Sequence, residues 1–212
     1  DKSFRLCKSI REKRCIFTQI NRNLYMRAPA THIGDVFEIP ISDSFKRYMQ
    51  FVVVDSCQLG GWGIRVFKKD YPLDCNPAID DILNGEVDFF CLTRAIGHGV
   101  LDGLWTKVGK SKDLGDLDKM VFRTYVERVP GILASHWFVW KANHNLKEYK
   151  TLPRRYRKVD YGGVMPPSHV VERIRTGRWF KVQNVYDDYD SYLTKWGCER
   201  ISVPFLRQQR KD

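Results

Sequence analysis

Five histidines, His32, His98, His136, His144 and His169, are the first candidates for metal ligation or proton transfer. None stands four residues from another, and no H-E-x-x-H occurs, so the paired ligands of a helical zinc site are missing. His136 and His144 are spaced to meet across a hairpin. Ser135 precedes His136, but neighbouring strand residues point to opposite faces, so this spacing predicts no direct base–nucleophile pair. No G-x-S-x-G elbow is present. Gly97-His98-Gly99 resembles part of a glycine-rich phosphate loop but lacks the Gly-Lys-Ser/Thr ending, and reads as a tight turn. Gly109-Lys110-Ser111 supplies that ending, yet Leu104 stands where the first glycine belongs. A carboxylate nuclease would pair an acidic residue with an acidic-x-Lys triplet, so that metal and lysine flank the scissile phosphate. Asp80, Asp88 and Asp102 have no lysine two residues on; Glu148-Tyr149-Lys150 does, within polar flanks that suit a loop or helix. These spacings predict no enzyme, metal or cofactor site, and leave a metal-dependent nuclease as the third reading.

Binding chemistry is better represented. The chain carries 36 Lys and Arg against 25 Asp and Glu, a formal charge of +11. The excess is uneven. Residues 2–27 and 147–181 are basic, whereas 70–118 are acidic. Such asymmetry suits nucleic acid, an acidic or basic protein partner, or self-association of opposite faces. Arg154, Arg155, Tyr156, Arg157 and Lys158 interleave an aromatic with cations, with Arg175, Arg178 and Trp179 further on. Cations neutralise phosphates or carboxylates, and an aromatic ring can stack on a base. Asp74, Asp80, Asp81 and Asp88 are the counterpart for a cationic partner. No RNP-type strand, helix-turn-helix or zinc finger is visible.

The elements that must hold these residues are mainly strands. Residues 34–41 alternate apolar and polar positions and end at Pro40, and 42–44 form a turn. Phe51, Val52, Val53 and Val54 within 48–55 predict a strand covered on both faces. Gly60-Gly61 is a turn, and 62–67 a third strand. This antiparallel meander has an SH3-like barrel as one way to close. In 76–85, Asn76 is placed to cap a helix, Pro77 to start it and Gly85 to stop it left-handed. Residues 86–93 follow as a strand with Val87, Phe89 and Cys91 on one face. A similar unit recurs in 165–177, with 179–182 as its strand. Residues 121–126 and 135–140 are further β-like runs. The expectation is an α+β, mainly antiparallel, strand-rich chain with a few short helices. It divides into a basic extension (1–30) and two similar α+β halves (31–118 and 119–212), or the latter two form one continuous domain. Residues 15–25 fit either helix or strand.

A length of 212 residues suits one large domain or two small ones, and 43% hydrophobic content excludes wholesale disorder. No apolar run approaches ~18 residues. Residues 1–15 lack a signal-peptide apolar core. Cys7, Cys15, Cys57, Cys75, Cys91 and Cys198 include no C-x-x-C pair, and Cys91 lies in an apolar run, which favours reduced thiols and a cytoplasmic setting.

The run Ile33-Gly34-Asp35-Val36-Phe37-Glu38-Ile39-Pro40 resembles the opening strand of the immunity protein twenty-six family of bacterial polymorphic toxin systems, which begins Gly-Asp-hydrophobic-Phe-x-Ile-Pro. Phe51 to Val54 and the Gly61-Trp62 turn extend the likeness over the first half of the chain. The resemblance implies a non-enzymatic inhibitor that binds and blocks a cognate toxin of its own cell. The acidic residues would face a cationic toxin, or the basic ones an acidic toxin. Nucleic-acid binding through the basic surface is the alternative.

Overall fold

The structure is a computed structural model, and it describes residues 27–129 and 133–179. Its elements, in chain order, are β1 (Asp35–Pro40), β2 (Phe45–Asp55), β3 (Gly61–Phe67), β4 (Tyr71–Pro72), α1 (Ile79–Leu83), β5 (Val87–Thr93), α2 (Ile96–Leu101), β6 (Thr106–Lys110), β7 (Val121–Val129), β8 (Leu133–Lys141), β9 (Lys147–Tyr149), β10 (Asp160–Tyr161), β11 (Val164–Met165) and α3 (Pro167–Thr176). Among the described residues the architecture is α+β and strand-rich, with three short helices. A seven-stranded sheet runs β11-β5-β3-β2-β1-β6, with β4 beside β2; a four-stranded sheet runs β10-β7-β8-β9. Among the described residues, only β10 on β7 and β11 on β5 pair in parallel.

The meander β1-β2-β3 forms as its alternation predicts, but no closed barrel results. The large sheet stays open because β6 pairs with β1 at one end and β11 with β5 at the other. Its Phe37, Ile39, Met49, Phe51, Ile64, Val66, Phe89 and Cys91 face is filled by α2 and α3, through Ile96, Val170, Val171 and Ile174. The opposite face divides. Val36, Tyr48 and Phe67 pack on β4 and α1, whereas Val52 and Leu92 meet Met120, Phe122 and Trp140 of the small sheet. Phe51 and Val52 are therefore buried on opposite faces, as the apolar run requires.

Gly34 is held left-handed at φ +96°, and an added Cβ would lie 2.3 Å from the Ser111 carbonyl oxygen. Its own C=O accepts the Ser111 N–H at 2.9 Å. Next to it, the fully buried Asp35 carboxylate accepts the His32 N–H and lies 2.8 Å from the Lys107 ammonium. The Gly-Asp pair thus locks β1 to β6.

Two local expectations change. The first helix spans only Ile79–Leu83, with Ala78 at the cap position and no side-chain cap; Asn76 instead accepts from Lys46 Nζ at 3.5 Å. Gly85 is not left-handed, and its N–H bonds to the Ile82 carbonyl. Five residues make too few intrahelical bonds to impose an ideal start and stop. Val87 leaves the Phe89–Cys91 face because a bulge pairs it with Phe67, and it packs beside Ile82 and Leu83 instead. By contrast, α3 starts at Pro167 and stops at a left-handed Gly177 (φ 71°), as its sequence predicts. Residues 1–26 of the basic extension and 180–182 of the last predicted strand lie outside the described residues.

The two sheets are joined by Asp55. This fully buried carboxylate accepts the Trp140 indole N–H and the Asn143 backbone N–H, both at 3.1 Å. Asn143 returns the contact by donating to the Val54 carbonyl and accepting the Ser56 N–H, each at 2.8 Å. Asp55→Ala should cost about 3 kcal/mol in urea unfolding, because the buried Trp140 indole and the part-buried Asn143 N–H lose a charged acceptor. Glu86→Ala, which removes the exposed ion pair to Lys68, should leave the midpoint in place.

Candidate partner-binding notch

Where the small sheet crosses the edge of the large one, two concavities open on either side of Lys158, Val159 and Asp160. Their geometry begins with β11. Its ladder on β5 reaches only Leu92 and Thr93, so the Phe90 N–H lies beyond it. The Asp160 carboxylate, arriving on β10, accepts that N–H at 2.8 Å. The next residues, Gly162 and Gly163, turn the chain into β11. Gly162 has no room for a side chain: an added Cβ would stand 2.0 Å from the Trp140 indole.

One concavity, of about 250 Å³, is lined by Arg123, Arg157, Lys158, Arg173 and Arg178, with Asp160 and the rings of Tyr161 and Trp179. Its guanidinium groups are braced. Arg123 donates from Nε to the Val159 carbonyl at 3.3 Å and lies over the Trp137 ring at 5.4 Å. Arg173 lies 4.8 Å over Phe89 and 5.9 Å over Trp179, which itself meets Phe89 edge-on. The other concavity, of about 560 Å³, mixes signs: Glu86, Asp88, Asp116 and Asp160 against Arg65, Lys119 and Lys158, with Phe90 between. A cationic lobe and a carboxylate-rich lobe therefore share one rim.

The structure separates the sequence-predicted site residues. Asp74, Asp80 and Asp81 are exposed around α1, and neither lobe includes them. Asp88 lies in the mixed lobe, paired with Arg47 at 2.9 Å. Arg154, Arg155 and Tyr156 form a 3-10 turn, in which Arg155 lies 4.8 Å over the Tyr156 ring. Arg155 draws the Tyr156 hydroxyl pKa below its ordinary value, with the Tyr149 hydroxyl assisting. Only Arg157, Lys158 and Trp179 of the predicted basic set line the cationic lobe, together with Arg178. Arg175 points elsewhere, to the Pro40 carbonyl. Arg123, Asp160, Tyr161 and Arg173 escape sequence reading because they are spread over β7, β10 and α3, and only tertiary packing unites them. A charged residue inside the β-like run 121–126 is the one local signal.

Several chemistry-bearing patterns resolve differently. Gly97 and Gly99 lie within α2, where Gly99 gives the Trp105 indole close approach instead of making a turn. Gly109 and Lys110 belong to β6. Ser135 and His136 do meet: β8 bulges between Ala134 and His136, and Ser135 Oγ lies 3.2 Å from His136 Nδ1. The bulge brings both side chains to one face, against the strict alternation expected from sequence. Ser135 Oγ also donates to the Val126 carbonyl, and Glu148 stands 3.6 Å from His136 Nε2. No group of three metal-ligating side chains occurs among the described residues, and no helix there is long and apolar enough to cross a membrane. Cys57, Cys75 and Cys91 are unpaired.

Burial pushes the Asp160 carboxyl up to about 6, against the Phe90 N–H and Arg173, which lower it; Asp88 raises it further and Arg123 lowers it. A folded value above the ordinary 3.8 means the folded chain holds the proton more tightly. This contribution to stability is complete below 3.8 and is lost as pH rises through about 6. Asp160→Asn keeps an acceptor for Phe90, so stability measured by denaturant titration should rise at neutral pH. The downward slope across that window should flatten. Comparison with family models, with characterised proteins and with solved structures finds no match to this chain.

Proposed function

We propose that this chain is a non-enzymatic binding protein of the bacterial immunity type, cytoplasmic, that neutralises a cognate toxin by docking it on the two-lobed notch. The juxtaposition of a braced arginine–aromatic lobe and a carboxylate-rich lobe carries this reading. Tightly bound protein interfaces concentrate their energy in arginine, tyrosine and tryptophan at a desolvated centre. Opposite charges side by side suit a patterned protein surface, and they speed and orient its capture. The Gly34-to-Pro40 strand adds its family resemblance, and unpaired Cys57, Cys75 and Cys91 agree with a reducing compartment.

Nucleic-acid binding is the second reading, favoured by the convergence of Arg157, Lys158, Arg173 and Arg178 on an aromatic wall. A continuous phosphate backbone leaving that lobe would meet Glu86, Asp88 and Asp116, which ranks it lower. It requires affinity for DNA or RNA that falls steeply between low and moderate salt. No binding at low salt removes it.

Co-expression with the product of the adjacent upstream gene should yield a stable complex and rescue growth. In stopped-flow mixing, the exposed charge reversals Lys158→Glu and Arg178→Glu should slow association at least roughly tenfold at low salt. A complex whose rate ignores both reversals, or no complex at all, contradicts the reading.

A further inference from the structure

The cationic lobe has the makings of a small-ligand site in its own right. Five cations, Arg123, Arg157, Lys158, Arg173 and Arg178, surround a concavity of about 250 Å³ that contains one carboxylate, Asp160. They arrive from three places: β7, the loop before β10, and α3 with the residues just after it. Like charges gathered from separate elements repel one another, and a structure that keeps them together gains when an anion joins them. Among the described residues, no ion pair engages Lys158, Arg173 or Arg178.

The directing groups are also held in advance. The Arg173 guanidinium is fixed against the rings of Phe89 and Trp179, and Arg123 against Trp137 and the Val159 carbonyl. Binding therefore costs little side-chain entropy at these two positions. Guanidinium forks match the paired oxygens of phosphate, and a dianion satisfies more of this charge than a single carboxylate does. A cavity of about 250 Å³ has room for a phosphate, and the rings of Tyr161 and Trp179 line it.

We propose that this lobe binds a phosphate dianion, either inorganic phosphate or the phosphate of a nucleoside monophosphate. Asp160 is the opposing group. Its ionised carboxylate repels the ligand, and its neutral form does not. The charged and titratable groups around Asp160 are Asp88 and Cys91 on β5, Arg123 on β7, Arg157 and Lys158 before β10, Tyr161 on β10, and Arg173 and Arg178 in and after α3; Arg65, Glu86, Asp116 and Lys119 line the other concavity with it. Phosphate binding needs no protein partner, so its titration is independent of complex formation with a toxin.

Isothermal titration calorimetry on the full chain, at low ionic strength and neutral pH, tests the assignment with inorganic phosphate, adenosine monophosphate and adenosine. Saturable binding of phosphate, of the nucleotide or of both, with none by adenosine, is expected. Arg178→Gln and Lys158→Gln are both exposed in the folded chain, and each should weaken binding about tenfold through loss of a charge-assisted bond. Asp160→Asn should tighten it. A nucleotide that outbinds phosphate, with the advantage removed by Trp179→Ala, identifies the nucleoside source; equal affinities identify phosphate alone. If neither phosphate nor the nucleotide binds, or if affinity is unchanged in both glutamine variants, the proposal is overturned.

Discussion

Asp55 has no water to turn to. Its carboxylate is fully buried where the end of β2 meets the turn after β8, and its acceptor capacity is spent on Trp140 and Asn143. A buried charge persists only when its hydrogen bonds are met, so the two sheets are constrained to approach at one place and angle. Apolar packing alone would be less exacting. Val52, Leu92, Met120, Phe122 and Trp140 fill the space between the sheets, and such side chains tolerate small slides. The Asp55 bonds do not, because a shift of an ångström leaves two donors unsatisfied. Asn143 reinforces the joint from the other side, in a left-handed conformation that asparagine tolerates well (φ 61°).

The notch is a consequence of that joint. With the sheets pinned at Asp55, the chain leaving β9 must return past the edge of β5 to reach α3. It does so through β10 and β11, two short parallel additions to different sheets. Asp160 covers the one β5 amide that β11 leaves open, and Gly162 lets the chain pass under the Trp140 indole. Concavities remain on both sides of this crossing because four residues of strand cannot fill the corner between two sheets. The same indole that reports to Asp55 therefore also sets the floor of the crossing, which links the packing joint to the shape of the surface. The charges on either side come from elements whose own folding reasons are unrelated: α3 packs through Val170, Val171 and Ile174, and β7 through Phe122.

Legibility in the sequence followed the range of the interaction. Strands β1, β2, β3, β5 and β7 and the ends of α3 rest on local alternation, proline and glycine, and they appear where those signals lie. The open sheet was not legible, because a barrel and an open meander share the same local pattern and differ only in where β6 and β11 pair. The bulges that move Val87 and Ser135 add one residue opposite another strand, which no single run of sequence encodes. In the site, charge runs pointed to Arg157, Lys158, Arg178 and Trp179. They also pointed to Arg154, Arg155, Asp74, Asp80 and Asp81, which the fold leaves outside the notch. Arg123 carried only the weak signal of a charge inside a β-like run, and Asp160 and Arg173 carried none, since each gains meaning only beside the others in the fold.

The central claim is that partner recognition occurs at the crossing of the two sheets. Hydrogen exchange of backbone amides, followed with the full chain alone and in complex with its partner, tests this most directly. The account predicts added protection concentrated in residues 86–90, 157–161 and 173–179. Protection confined to the acidic turn and helix at 74–83, with those segments unchanged, would contradict it.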